Sequence, residues 1–156
     1  MALRLVILGR QGSGKGTQCA RLVDHYGCVH VSTGDMLRAA REEGTELGRT
    51  AGEIMDRGDL VPDDVMIGIV GERLAKADIV EHGVLLDGFP RTPDQADALE
   101  DILDDQGEAL DVAVKLDGPV DEVMSRMLAR GREDDTPDAI VRRLSLYEEQ
   151  TEPLID

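Results

Sequence analysis

The sequence predicts a three-layer α/β fold built on a central parallel sheet, and three observations predict it. Short continuous apolar runs recur along the chain: LRLVIL at 3–8, VHV at 29–31, VLL at 84–86 and VAVKL at 112–116. The first of them is a short continuous apolar run, the mark of a strand buried on both faces of a parallel sheet. Between them lie longer segments with apolar residues at helical spacing, and such alternation of strand and helix implies parallel strands joined by helical crossovers, a doubly wound sheet.

Taken in order, the first run enters the glycine-rich stretch GRQGSGKGT, and residues 15–26 then read as a helix. The second strand ends in STGD, where a hydroxyl at Thr33 is a candidate helix cap. Residues 36–55 are helical with an interruption near EEGTELG, and GDLVP at 58–62 is a turn. A helix over 63–77 opens in acidic residues, which suit a helix N-terminus. The third strand is followed by the loop DGFPRTP, a helix over 94–103 and the fourth strand. Two more helices, 120–129 and 138 onward, are hinged on RGREDDTP, where Thr136 and Pro137 form a helix start. EDILDDQGEALD reads as a solvated helix face and loop.

Composition bounds the function. The 156 residues suffice for one domain with a real core. That core must be Leu, Val, Ile, Ala and Met, since there is one Phe, two Tyr and no Trp. A net charge of −16 argues against nucleic acid as a partner, because its backbone needs a basic face. An anionic substrate must then meet a local arginine cluster against an unfavourable overall field. No apolar run approaches the ~20 residues of a membrane-spanning helix. MALRLVILG has one arginine and passes straight into the glycine loop, unlike a signal peptide, so a cytoplasmic protein without membrane partners is expected. Cys19 and Cys28 show no metal-ligand spacing and are expected to be reduced and buried, with no redox or metal role.

The loop carries the first chemistry. A strand that feeds a glycine-rich turn into a helix aims backbone N–H groups and the helix dipole at one anion. Gly9, Gly12 and Gly14 permit the tight wrap, and Lys15 adds a point charge for the outer phosphates of a nucleotide. The fold class is therefore that of P-loop nucleoside triphosphate hydrolase-like proteins. The slot after the lysine, usually Ser or Thr, is Gly16, with Thr17 next, and this GKGT form narrows the field to nucleoside monophosphate kinases.

GRQGSGKGTQ, STGDMLRAA, GDLVPDD, LLDGFPRT and RRLSLYEEQTEPLI together, in this order, resemble adenylate kinase over the whole chain. The loop departs at Gln11, where the family usually has proline. The resemblance implies a core of 1–32 and 62–156, a mobile AMP-binding lobe at 33–61 and a short lid at about 130–137 without zinc-binding cysteines. It implies that Gly12, Ser13, Gly14, Lys15, Gly16, Thr17, Arg126 and Arg130 bind ATP. It assigns AMP to Thr33, Gly34, Arg38, Met55, Gly58, Leu60, Val61, Gly88, Arg91 and Gln95, with Arg132 and Arg143. Lys15, Arg91, Arg132 and Arg143 are its catalytic residues, and Asp87 its Mg2+ carboxylate, acting through water. Pro90 matches the family's cis proline, and Arg142, beside Arg143, is expected to face away. Thr33 and Thr92 differ from the Ala and Asn typical of UMP/CMP kinases, which favours AMP.

The chemistry so implied needs no general base, because the second pKa of a phosphate monoester is near ~6 and the attacking oxygen is already ionised. Positioning and charge neutralisation carry it. His25, His30 and His82 are accordingly expected to be structural or surface residues. The resemblance also implies a further strand and helix after Asp156. In this chain the fourth strand is then expected at the sheet edge, open to self-association, and the Arg143 helix is expected to lose the packing partners that segment would supply. A full-length form is expected to be monomeric. The alternative function is a non-catalytic nucleotide-binding or assembly protein.

Overall fold

The four apolar runs form β1 (Leu3–Gly9), β2 (Val29–Ser32), β3 (Gly83–Asp87) and β4 (Val112–Leu116), which pair in parallel in the order β2-β3-β1-β4. The structure is a computed structural model that describes residues 2–10, 12–44, 46–117, 119–132 and 135–154, without the side chains of Ala40 and Leu47. Around the sheet lie α1 (Lys15–Tyr26), α2 (Thr33–Glu42), α3 (Glu46–Asp56), α4 (Asp63–Leu74), α5 (Ala77–His82), α6 (Pro93–Asp105), α7 (Val120–Arg130) and α8 (Pro137–Leu146). A π turn, Tyr147–Thr151, and a 3-10 turn, Glu152–Leu154, follow α8.

The period-2 alternation of strand side chains divides the core into two layers. Leu5, Ile7 and Leu85 pack with Cys19 of α1 and with Cys28. Val6, Val31, Val84 and Leu86 meet the other layer, with Leu37, Met55, Val70 and Leu99 of α2, α3, α4 and α6. The single phenylalanine, Phe89, is fully buried there, while Leu, Val, Ile and Met supply the bulk as composition required. Burying each such side chain contributes roughly 1.5–3 kcal/mol before chain entropy is counted. Both cysteines are free and buried.

Several local expectations need correction. The helix predicted over 63–77 ends at Leu74, and Lys76 is extended before α5 begins. Across the break, Asp78 takes the Arg73 guanidinium at 2.8 Å through both oxygens and accepts from Ile79 N–H at 3.0 Å. The cap of α2 is Ser32, whose hydroxyl accepts from Asp35 N–H at 3.2 Å, not Thr33. On the Arg143 helix, Ile140 and Leu144 pack with Val123 and Met127 of α7. Thr136 caps α8 as expected, through Ala139 N–H at 3.2 Å. β4 pairs with β1 and is otherwise an edge, with Val112 half exposed.

Gly83 shows how tightly the strands approach. It sits at φ +83°, opposite Leu3 in the β1–β3 pair, and a Cβ there would run into the Leu3 carbonyl oxygen. Gly83→Ala is expected to cost at least about 2 kcal/mol, from backbone strain and overpacking together. Urea unfolding would measure this, and an unchanged midpoint would contradict it.

Candidate active site

In open α/β sheets ligands sit outside the carboxyl ends of the strands, and the predicted residues gather there. The loop after β1 leads into α1 with Gly14 at φ 97° before the first turn. Gly12, Gly14, Lys15, Gly16 and Thr17 line a cleft of about 370 Å³. Arg126, Arg130 and Arg132 close one side of it, and His30, Asp87, Arg38 and Arg91 face them. The Ser13 hydroxyl is buried with no partner among the described residues, an orphan group that a phosphate oxygen could satisfy. Gln11, the departure from the family pattern, lies outside the described residues.

Asp87 is the centre of the floor. Register sets it beside Ile7 of β1 and Ser32 of β2, at the end of β3. Its Oδ1 accepts from Lys15 Nζ at 3.1 Å, and its Oδ2 lies 3.2 Å from His30 Nε2 and 3.9 Å from Cys19 Sγ. Burial opposes ionisation of this carboxyl, but His30 and the Lys15 ammonium outweigh it and hold it far below the usual carboxylate range. The same carboxylate pushes His30 up to about 10, so the imidazole is positive at neutral pH. Burial pulls Lys15 down, with Asp87 opposing. His25 and His82 stand apart as expected, against Tyr26 and Glu81. His30 is a surface residue as well, but it does not stand apart: it lines the cleft and meets Asp87.

A second, tighter space of about 50 Å³ adjoins the first. Thr33, Gly34, Arg38, Met55, Leu60 and Val61 line it from α2, α3 and the turn, and Gly88, Arg91, Gln95 and Arg143 line it from the core. Thr33 donates its hydroxyl to Gly88 O at 3.1 Å, which ties the end of β2 to the loop after β3. Gln95 is buried, donating to Asp63 Oδ1 at 2.9 Å and accepting from Arg91 N–H at 2.8 Å. An amide offers two donors and two lone pairs, so one of each is left for a base edge. Gly58 does not line this space. It sits at φ +79° against the Ala139 backbone, where a side chain would not fit. Phe89–Pro90 is cis, as expected.

The two spaces share Gly34, Arg38 and Arg91. Acids outnumber bases 33 to 17, yet Arg91 and Arg132 have no carboxylate within ion-pair distance among the described residues. Arg91 donates Nε–H to Gly88 O at 2.8 Å, and Thr151 pins its carbonyl at 2.5 Å. Burial lowers the pKa of Arg91, with Asp87 opposing and Arg143 and Arg38 adding to the fall. Burial, then repulsion from Arg38 and Arg130, does the same to Arg132. Guanidinium groups that destabilise one another in this way form a site of unmet positive potential, suited to a polyanion.

Asp135, which sequence reasoning missed, organises the group. Its carboxylate has no exposed surface and holds Arg130 through both oxygens, at 2.8 and 2.9 Å, and Arg143 at 2.9 Å. Arg143 also reaches Met55 O at 2.9 Å, which joins α8 to α3. Arg126 pairs with Glu122 at 2.6 Å and leans on Gly12 O at 3.3 Å. Arg142 faces away from the cluster as expected, though it is not inert: it holds Asp59 at 2.8 Å. Of the predicted lid, residues 133 and 134 lie outside the description. In an acidic run such as REDDTP, nothing local marks which acid turns inward.

Comparison with known proteins agrees with this geometry. A family model described as adenylate kinase matches residues 7–156. The chain is 51% identical to the adenylate kinase of Nocardia farcinica (strain IFM 10152), covering 99% of this chain and 84% of that one. It is 50% identical to that of Corynebacterium glutamicum (strain R) and 46% to that of Stenotrophomonas maltophilia (strain R551-3), with the same coverage. The chain thus belongs to the adenylate kinase family of phosphotransferases.

Proposed function

We propose that this chain transfers a phosphoryl group between nucleotides, ATP + AMP ⇌ 2 ADP. The observation that carries this reading is the junction of the two clefts at Arg38 and Arg91, a single arginine-walled meeting point for two phosphate chains. The glycine loop with Lys15 takes the β- and γ-phosphates of ATP, and Arg126 and Arg130 take the rest of the donor. Thr33, Gly34, Met55, Leu60 and Val61, with Gly88 and Gln95, seat AMP, and Arg38 clamps its phosphate. Arg91, Arg132 and Arg143 neutralise the charge that spreads over the transferring group, so positioning and electrostatics supply the rate.

The donor set beside the loop fits Mg2+: Asp87 offers a hard carboxylate oxygen to the cleft, and such sites combine one or two carboxylates with substrate phosphates and water. Bound there, the ion would supply positive charge against the phosphate oxygens. Residues 33–61 act as the mobile AMP lobe and about 130–137 as the short lid. A cytoplasmic location is part of the reading, supported by the lack of any described helix long and apolar enough to cross a membrane. The open β4 edge supports self-association of this chain, which sedimentation would test; a monomer at high concentration would refute it.

ADP formation from ATP and Mg2+, with AMP, CMP or UMP as acceptor, tests the reading. AMP-selective turnover is expected. Nucleotide binding without turnover would instead favour the non-catalytic alternative. Arg38→Ala is expected to raise the KM for AMP by roughly 10–100-fold, the value of charge-assisted hydrogen bonds to a phosphate, while ATP affinity holds within about threefold. Equal loss of both affinities would count against Arg38 as the AMP clamp.

A further inference from the structure

Cys19, His30 and Asp87 stand 11 and 57 residues apart in sequence, yet fold topology converges them. Cys19 lies one helical turn after Lys15 on the face of α1 that packs on the sheet. Asp87 follows Leu85 by two residues, so it projects from β3 on the face that α1 covers. β2 lies against β3 with Ser32 opposite Asp87, which brings His30, two residues back on the same face, within reach of it. The ligand atoms Sγ, Nε2 and a carboxylate oxygen all lie within 4.8 Å of one another.

We propose that Cys19, His30 and Asp87 form a site for a borderline-soft divalent cation of the Zn2+ class, separate in chemistry from the hard-cation role of Asp87. Zinc bonds of about 2.3 Å to sulfur and about 2.0–2.1 Å to nitrogen and oxygen place tetrahedral ligand atoms roughly 3.3–3.7 Å apart. Oδ2 already stands 3.2 Å from Nε2 and 3.9 Å from Sγ, and with all three ligand atoms within 4.8 Å of one another, closure needs shifts of about 1.5 Å or less. A thiolate and a carboxylate balance the two positive charges, and a neutral imidazole completes the set. On binding, the Cys19 thiol and the His30 imidazolium each release a proton to solvent. Oδ1 keeps Lys15, so the site forms without breaking that contact.

The donor types select the metal. Sulfur and imidazole favour Zn2+ over Mg2+. Cys19 is wholly buried behind the site, whereas His30 and Asp87 open on the cleft, so the fourth position faces the side from which a water or a phosphate oxygen would arrive. An ion here takes the Asp87 oxygen nearest to His30. Zn2+ is therefore expected to oppose turnover with Mg2+ and ATP, although the site itself does not depend on the phosphotransfer reading.

The test uses the whole chain, free of nucleotide and reduced, titrated with Co2+ as the spectroscopic probe. The expected result is a thiolate-to-cobalt charge-transfer band in the near ultraviolet with intense tetrahedral visible bands. They should saturate at one equivalent and be bleached by one equivalent of Zn2+. Cys19→Ser should lose the charge-transfer band, Cys28→Ser should keep it, and His30→Gln should weaken Co2+ binding at least about tenfold. Absence of the band in the unmodified chain overturns the proposal whatever the variants do. A band that survives Cys19→Ser, or is lost in Cys28→Ser, overturns it as well.

Discussion

Lys15→Met is expected to lower kcat by at least about 100-fold while the protein stays folded, as removal of a single preorganised charge at a reacting centre typically does. The ammonium is buried at the base of the glycine loop and rests on Asp87 at 3.1 Å. Burial lowers its pKa and Asp87 opposes, so the group is a desolvated charge held in place before substrate arrives. A phosphate reaching the loop meets a donor that has little solvent shell to shed. Methionine matches the length of the stem and keeps its packing, so the loss isolates the charge. Asp87 retains His30 as a partner at 3.2 Å, which limits damage to the floor. Turnover with AMP, read beside a circular-dichroism melt, checks the result. Activity within tenfold of the unmodified chain would remove Lys15 from its proposed role.

Asp135→Ala is expected to cost about 3 kcal/mol of stability and to lower activity as well, because it breaks a buried charge pair by taking away one partner. The carboxylate has no exposed surface and spaces two guanidinium groups of the cleft, Arg130 and Arg143. Burial works against its ionisation, but Arg130 and Arg143 hold its pKa below the ordinary value. Without it, two cations are left in mutual repulsion beside Arg132, and the link between the end of α7 and α8 loosens. Urea unfolding gives the stability change, and the KM and kcat for both nucleotides give the functional one. Asp135→Asn keeps the shape and loses the charge, so it should fall between the two. A variant as stable as the unmodified chain would show that the arginines hold their places unaided.

Much of the fold was readable because its signals are local. A strand buried on both faces must be apolar at successive positions, and LRLVIL and VLL became β1 and β3 for that reason. The loop was readable because phosphate cradling needs glycine, lysine and a helix start in contiguous order. Thr136 and Pro137 set the start of α8 through a single side-chain bond and one fixed dihedral. Local signals also misled. STGD offers two hydroxyls, and only the chain's path decides that Ser32 caps α2 while Thr33 turns to Gly88.

The relations between distant segments lay outside that reach. Strand order puts β3 between β1 and β2 and so carries His30 to Asp87, while the packing of α1 on the sheet brings Cys19 there. The inward turn of Asp135, the seat of Gly58 against α8 and the hold of Arg142 on Asp59 are likewise contacts across 8 to 83 residues. Residue type and spacing fix hydrogen bonding and burial within a segment, and so they set the strands, the helices, the phosphate loop and the family. Which charges meet depends on register and on how layers pack, since opposite charges pair at any sequence distance once burial removes the water between them.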